Sequence, residues 1–209
     1  MVLARRFAVL SLAGLSVLGC GAGWAQSGGA APQAQAAPAP PVVGSIATHP
    51  GWPVAKPEDV SSLPAIIGAL YKSISGGKGE TRDWDRLRSL FLPDARLIPS
   101  FPKPGAHADA FYLTVDDYIA RSGPRMTASG FFERSIHNEV QQYGNIVSVW
   151  STYESRHAAE DPAPFARGIN SIQLLKDGDR YWVVNIFWDA ETPGNPIPPK
   201  YLTPPPASH

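Results

Sequence analysis

The segment RGINSIQLLKDGDRYWVVNIFWDAE, residues 167–191, decides the fold. Two runs rich in β-branched and aromatic residues flank Asp177-Gly178. An Asp-Gly pair between two strand-like runs predicts a β-hairpin. Alternation then assigns one face of each strand to the interior. The residues we assign to this inward face are Asn170, Ile172, Leu174, Trp182, Val184, Ile186 and Trp188.

Two earlier segments alternate in the same way. FFERSIHNEVQQY and IVSVWSTYESRH predict two more strands, with Gly144-Asn145 as the turn between them. In the second of these strands, one face carries Ser148, Trp150, Thr152, Glu154 and Arg156, and the other carries Val147, Val149, Ser151 and Tyr153. In the first, alternation groups Glu133, His137 and Glu139 on one side.

Ahead of these strands the apolar period is helical. Apolar residues from Val60 to Ile74 recur at helical spacing and predict an amphipathic helix that ends at Gly76-Gly77. Asp83 can cap a second helix in DWDRLRSLF, and Thr114 with Asp117 has capping-box spacing for a third in TVDDYIARSG. ARLIPSF, between them, predicts a strand. We therefore expect an α+β fold with three N-terminal helices packed on a curved antiparallel sheet.

The two ends of the chain differ in composition from its middle. Residues 1–25 combine a charged start with a short apolar run, and they predict a signal peptide cleaved after Ala25. The alternative is a lipid anchor on Cys20 within VLGC. Residues 26–56 form an Ala/Pro/Gln-rich linker, residues 57–191 the folded domain and residues 192–209 a proline-rich tail. We expect an exported, periplasmic protein, or a lipoprotein anchored at Cys20.

Composition limits the classes of function. The 209 residues include 18 Lys and Arg and 18 Asp and Glu, so the chain has no net charge, and this balance argues against a nucleic-acid binder, which needs a basic face. Cys20 is its single cysteine, so the domain has neither disulfide nor thiol chemistry. The sequence predicts no cofactor and no metal site. His137 with Glu139, and His107 with Asp109, are the pairs closest to ligand spacing, and surface histidines explain them as well.

The order of elements resembles the nuclear transport factor 2-like superfamily, in its SnoaL-like bacterial branch. The segments that carry the resemblance are DWDRLRSLFLPDARLI, VDDYI, VSVWSTYESR and RGINSIQLLKDGDRYWVVNIFW, and together they span the domain. The resemblance implies a cone, in which a curved sheet wraps a long helix and leaves a pocket at its mouth. The superfamily includes both enzymes and binding modules, so the resemblance implies no catalytic residues here.

The candidate site comes from polar and aromatic residues within the strands. Trp150, Glu154, Asn170 and Trp188 could converge at the mouth as ligand-binding residues of a mostly apolar pocket. The alternative is that Glu154 pairs with Arg156 or Arg167 across strands and that the tryptophans are core residues. The sequence leaves both interpretations open.

Two functional hypotheses follow. The first is an exported module that binds a small apolar ligand or serves in an envelope assembly. The second is a cofactor-independent isomerase, cyclase or dehydratase, with Glu154 or His137 as base and Tyr153 or Trp150 orienting the substrate. Because the last strand is apolar on both faces, we also expect a homodimer through the outer sheet face, including Phe187 and Val183.

Overall fold

A computed structural model describes residues 46–105 and 107–202. The predicted signal peptide, Cys20 and most of the linker lie outside the described residues, as does the end of the tail. Within the described ranges, no helix is both long and apolar enough to cross a bilayer.

The second and third predicted helices begin after their predicted caps, whereas the first, predicted from Val60 to Ile74, is divided in two. The described part of the chain has four α-helices: α1 (Pro57–Val60), α2 (Leu63–Ile74), α3 (Trp84–Leu90) and α4 (Val115–Ser129). The first predicted helix is interrupted at Ser61 and Ser62, where the Ser62 side chain caps α2 by accepting a hydrogen bond from the Ala65 amide. Asp83 caps α3, and Thr114 with Asp117 forms a reciprocal capping box on α4, as the spacing predicts.

Six strands form one curved sheet. They are β1 (Phe91–Lys103), β2 (His107–Ala110), β3 (Phe132–Tyr143), β4 (Ile146–Arg156), β5 (Ala166–Asp177) and β6 (Arg180–Ala190), in the order β2-β1-β6-β5-β4-β3. The expected all-antiparallel sheet is wrong, because β1 pairs with β6 in parallel. Hairpins make the β3 to β6 pairs antiparallel, whereas no hairpin constrains β1 relative to the distant β6.

The helices pack on one face of the sheet, which we call the inner face. The buried core joins α2, α3 and α4 to the inward residues of the strands. Its fully buried members include Ile66, Leu87, Leu90, Phe91, Val147, Val149, Ile172 and Val183. The α+β class with helices on one side of a curved sheet is therefore confirmed.

A β-bulge in β6 changes the faces predicted for that strand. Gln173 pairs with Asn185, but Leu174 pairs with Val183, so Val184 is an extra residue on β6. Val184 is consequently exposed, and Val183 is buried in the core. The assignment of Val184 to the interior and of Val183 to a dimer surface is wrong. Trp182, also assigned inwards, is buried outside the main core cluster.

A second bulge lies in β3. Ser135 pairs with Tyr153 while His137 pairs with Thr152, so Ile136 is the extra residue. Glu133, before the bulge, is on the inner face opposite Ser155, whereas His137, after it, is on the outer face opposite Thr152. The predicted grouping of Glu133 with His137 is therefore wrong.

Chain segments outside the predicted domain limits also pack on it. On the N-terminal side, the Trp52 indole donates a hydrogen bond of 2.9 Å to the Phe91 carbonyl, and Ala55 is buried. On the C-terminal side, Ile197 is buried, and the Thr152 hydroxyl donates to the Tyr201 carbonyl at 2.7 Å. We call residues 192–202 the C-terminal strap, and it lies against the outer face of the sheet.

Candidate functional site

An inner cavity of about 230 Å³ lies between the helices and the inner face of the sheet. Most of its wall is apolar, formed by Leu70, Ile74, Leu87, Leu97, Met126, Phe131, Ile186 and Trp188. Its polar lining residues include Tyr71, Tyr118, Glu133, Tyr153, Ser155 and Asn170. The exposed residues Arg125 and Phe165 also line it and mark its opening. An apolar cavity with a few polar groups is the usual design of a small-ligand site.

Glu133 is the carboxyl group that lines this cavity. Its carboxylate accepts a hydrogen bond of 2.8 Å from the Ser155 hydroxyl. Burial raises the pKa of Glu133 to about 7, although the hydrogen bonds from Ser155 and Asn170 act in the opposite direction. A carboxyl with this pKa can both accept and donate a proton near neutral pH.

A hydrogen-bonded network fixes the side of the cavity next to Glu133. The Asn170 amide donates to the Tyr71 hydroxyl at 3.1 Å, and that hydroxyl is 2.7 Å from the Ser151 hydroxyl. Ser151 in turn donates to Ser135 at 3.2 Å. This chain ties α2 to three strands, so Asn170 serves the architecture as well as lining the cavity.

Two tyrosines present hydroxyl groups to the cavity without using them in the fold. Tyr118 of α4 and Tyr153 of β4 both line the cavity and are largely buried. Among the described residues, neither hydroxyl has a hydrogen-bond partner. Burial raises the pKa of both phenols, and the nearby Glu133 adds to the shift, so both remain protonated donors.

Gly168 allows the Tyr153 phenol to lie where it does. A Cβ atom at Gly168 would be 2.5 Å from the Tyr153 hydroxyl and 2.3 Å from the Asp189 carbonyl. Both distances are too short for real atoms, so only glycine leaves room for this tyrosine. The position of Tyr153 therefore depends on the backbone of β5.

The four predicted ligand-binding residues divide between the two faces of the sheet. Asn170 and Trp188 pair across β5 and β6 and line the inner cavity. Trp150 and Glu154 are on the outer face, where Trp150 is 41% exposed. The predicted convergence of all four at one mouth is therefore wrong. Asn170 pairs with Ser151 of β4, so Ser151 is on the inner face, and its neighbour Trp150 is on the outer face.

Glu154 and His137, the proposed bases, are also on the outer face. Glu154 pairs with Arg156, and with Arg134 at 2.6 Å. Although burial acts to raise the pKa of Glu154, the hydrogen bonds from Arg156 and Arg134 outweigh it and lower the pKa. The ion-pair interpretation thus describes Glu154, but its partner is not Arg167, which instead pairs with Glu191 at 2.8 Å.

His137 is buried and remote from the inner cavity. Its Nε2 atom is 3.8 Å from the Glu139 carboxylate, and neither ring nitrogen has a hydrogen-bond partner among the described residues. Of the three candidate catalytic residues, only Tyr153 lines the cavity. Over the described ranges, no cluster of three or more His, Cys, Asp or Glu side chains could hold a metal ion.

The sequence interpretation missed Glu133 and Tyr118 as site residues. Glu133 was grouped with His137, because an alternation count cannot detect the bulge at Ile136. Tyr118 is at a buried position of α4, where a tyrosine is usually a core residue. The sequence signal for Glu133 is a carboxylate near the start of a strand, opposite a serine, Ser155, on the next strand.

This combination of a curved sheet, helices on its inner face and a cavity between them is the arrangement that the resemblance to the nuclear transport factor 2-like superfamily implied. No protein-family model matches the sequence, and no curated protein matches it. Assignment to the SnoaL-like branch stays a prediction.

Several solved structures are similar to this chain. One is a protein of unknown function with a cystatin-like fold from Nostoc punctiforme PCC 73102 (9% identity, 63% of this chain, 90% of that chain, TM-score 0.48). Another is an NTF2-like protein of unknown function from Pseudomonas putida KT2440 (11%, 64%, 88%, 0.47). A third is the beta subunit of the benzoate 1,2-dioxygenase from Burkholderia mallei ATCC 23344 (14%, 62%, 91%, 0.44).

Proposed function

We propose that the domain binds a small, mostly apolar molecule that carries a carbonyl or hydroxyl oxygen, within the inner cavity. The observation that carries this proposal is the pair of unused phenol donors, Tyr118 and Tyr153, beside Glu133 in an otherwise apolar cavity. Both tyrosines line the cavity, so a ligand oxygen there could accept hydrogen bonds from their hydroxyls. The apolar wall would bind the rest of the molecule through the hydrophobic effect.

Native mass spectrometry of the protein purified from its source tests this proposal. We expect a retained molecule in the wild type and its loss, or at least weaker retention, in the double variant Tyr118→Phe with Tyr153→Phe. Phenylalanine keeps the ring volume, so the variant removes only the hydroxyl donors. The matched control is Tyr143→Phe, since Tyr143 is 86% exposed. Equal retention in all three proteins contradicts the proposal.

Acid–base catalysis is the second candidate function, with the same cavity as its site. Glu133, whose pKa is raised to about 7, would take the role of base that the sequence suggested for Glu154 or His137. Tyr118 and Tyr153 would stabilise the oxygen on which charge develops. The reaction would be a cofactor-independent isomerisation, cyclisation or dehydration.

Proton exchange on a small ketone distinguishes catalysis from binding alone. Exchange of the protons next to the carbonyl of cyclohexanone in D₂O, followed by NMR, needs only a base and a stabilised oxygen. The enzyme hypothesis expects exchange above the buffer rate, lost in Glu133→Gln and kept in the ion-paired, outer-face variant Glu154→Gln. An exchange rate equal to that of buffer contradicts catalysis and leaves the binding proposal standing.

We also propose that the protein is exported to the periplasm, with lipid anchoring at Cys20 as the alternative. The charged start followed by a short apolar run supports export. Mass spectrometry of the mature N-terminus should find cleavage after Ala25. A diacylglyceryl group on Cys20 would contradict cleavage after Ala25 and support the lipoprotein alternative. An intact Met1 would contradict export.

A homodimer through the outer face stays part of the proposal, with a changed set of residues. Val183 is buried, whereas Phe187 and Trp150 are 48% and 41% exposed on this face, and the bulge residue Val184 is 36% exposed. Exposed aromatic residues on one face of a sheet favour an interface. We expect a dimeric mass by light scattering at micromolar concentration and a monomeric mass for Phe187→Asp. A monomeric wild type contradicts the dimer.

A further inference from the structure

A second pocket of about 410 Å³ lies on the outer face of the sheet, under the C-terminal strap. Its floor is a row across three strands, in which Trp150 pairs with Ser171 and Ser171 with Phe187. The next row places Ile169 opposite Asp189. The floor thus combines two partly exposed aromatic rings with one aliphatic side chain and one carboxylate.

The strap forms the opposite wall and is held at both ends. Near its start, the Ile197 amide donates to the Glu191 carboxylate at 3.1 Å, and Thr192 and Asn195 form a turn. At its far end, the Tyr201 carbonyl accepts the Thr152 hydroxyl, and its ring is 6.0 Å from that of Trp150. The pocket is therefore built from two anchored surfaces rather than from a loose terminus.

The charges of the pocket have one sign. Its lining contains Asp189 and Glu191 but no lysine, arginine or histidine. Glu191 is neutralised by Arg167 at 2.8 Å. Asp189 is exposed, and the described residues give it only the Ala190 amide at 2.9 Å and the Asn195 amide at 3.4 Å, with no ion pair. Asp189 thus remains without an ion pair in a pocket lined by four aromatic residues, which are Trp150, Phe187, Trp188 and Tyr201.

We propose that this outer pocket binds a small organic cation, such as a substituted ammonium group on an apolar body. Aromatic faces attract cations through their quadrupoles, and a nearby carboxylate adds a charge of the required sign. The chain already makes such a contact at this surface, since the Lys200 ammonium is 4.5 Å from the Tyr201 ring centroid. The linings of this pocket and of the inner cavity share only Trp188, and the proposal does not depend on the function proposed for the inner cavity.

NMR titration of the full chain with choline tests the proposal. The reporter is the indole N–H signal of Trp150, assigned by its absence from Trp150→Phe. Choline should shift this signal saturably in the millimolar range. Its uncharged isostere, with a tert-butyl group in place of trimethylammonium, should have an affinity at least about fivefold lower. The shifted Trp150 signal locates the ligand at the outer pocket.

Two charge variants complete the test. Asp189→Asn keeps the side-chain shape and should weaken choline about fivefold, in line with one lost charge interaction at a partly exposed site. Asp179→Asn, in the exposed β5–β6 turn, removes the same charge and should leave the affinity unchanged. The proposal is overturned if choline gives no saturable shift, if the isostere binds equally well, or if Asp189→Asn binds like the wild type.

Discussion

Replacing Glu133 by glutamine should remove a specific pH dependence from the stability of the protein. Burial raises the pKa of Glu133 from an ordinary 4.5 to about 7 in the folded state. The folded state therefore holds this proton more tightly than the unfolded state does. As the pH rises from below 4.5 to above 7, the unfolded state loses the proton first, so Glu133 progressively destabilises the fold.

The magnitude follows from the two pKa values. With about 1.4 kcal/mol for each pH unit between them, the Glu133 contribution should change by about 2.5 kcal/mol between about pH 5 and pH 8. Glutamine keeps the acceptor for Ser155 but cannot titrate. Wild type should thus lose about 2.5 kcal/mol more than Glu133→Gln over this interval, or about 1 M in urea midpoint.

Urea unfolding followed by circular dichroism at both pH values measures this difference directly. The other titrating groups are common to both proteins, so the double difference isolates Glu133. Parallel pH dependences in the two proteins would refute the reasoning, since they would mean that Glu133 titrates alike when folded and unfolded. It would then be neither a buried carboxyl nor a suitable base.

Three further substitutions test individual contacts. Gly168→Ala should cost about 2 kcal/mol, because its Cβ would collide with the Tyr153 hydroxyl, as thermal unfolding can measure. Gly68→Ala, in α2 with open space around it, should instead stabilise by about 0.5–1 kcal/mol in the same assay. Glu154→Gln should cost about 1.5 kcal/mol at neutral pH by leaving Arg156 unpaired. Because the pKa of Glu154 is lowered in the fold, that stabilisation should be lost as the pH falls through its folded pKa, which urea unfolding in acid would detect.

Features that depend on neighbouring residues in the sequence were predictable. The caps at Asp83 and at Thr114 with Asp117 are contacts within one helical turn, and the structure contains both. The Asp-Gly turn at Gly178 likewise depends on a single backbone position, whose φ of 55° suits glycine. The parallel pairing of β1 with β6 joins residues far apart in the chain, so no local pattern could specify it.

Bulges explain why the two carboxylates exchanged roles. One extra residue at Ile136 places Glu133 on the inner face, although alternation assigned it to the side of His137. One extra residue at Val184 likewise reverses part of β6. Since the side-chain period of a strand is two, each insertion moves every later residue to the other face. A count along the sequence cannot detect an insertion that only the partner strand reveals.

The remaining error in the site came from the register between β4 and β5. Asn170 and Trp188 belong to one hairpin, and the bulge at Val184 shifts the register set by its tight turn by one residue, so that the two residues pair on one face. The β4–β5 connection, residues 157–165, is long enough to permit either alignment of its strands. The actual register sets Asn170 opposite Ser151, so the face of Asn170 continues into Tyr153 rather than into Trp150. The same register that removes Trp150 from the inner cavity aligns it with Ser171 and Phe187 in the floor of the outer pocket.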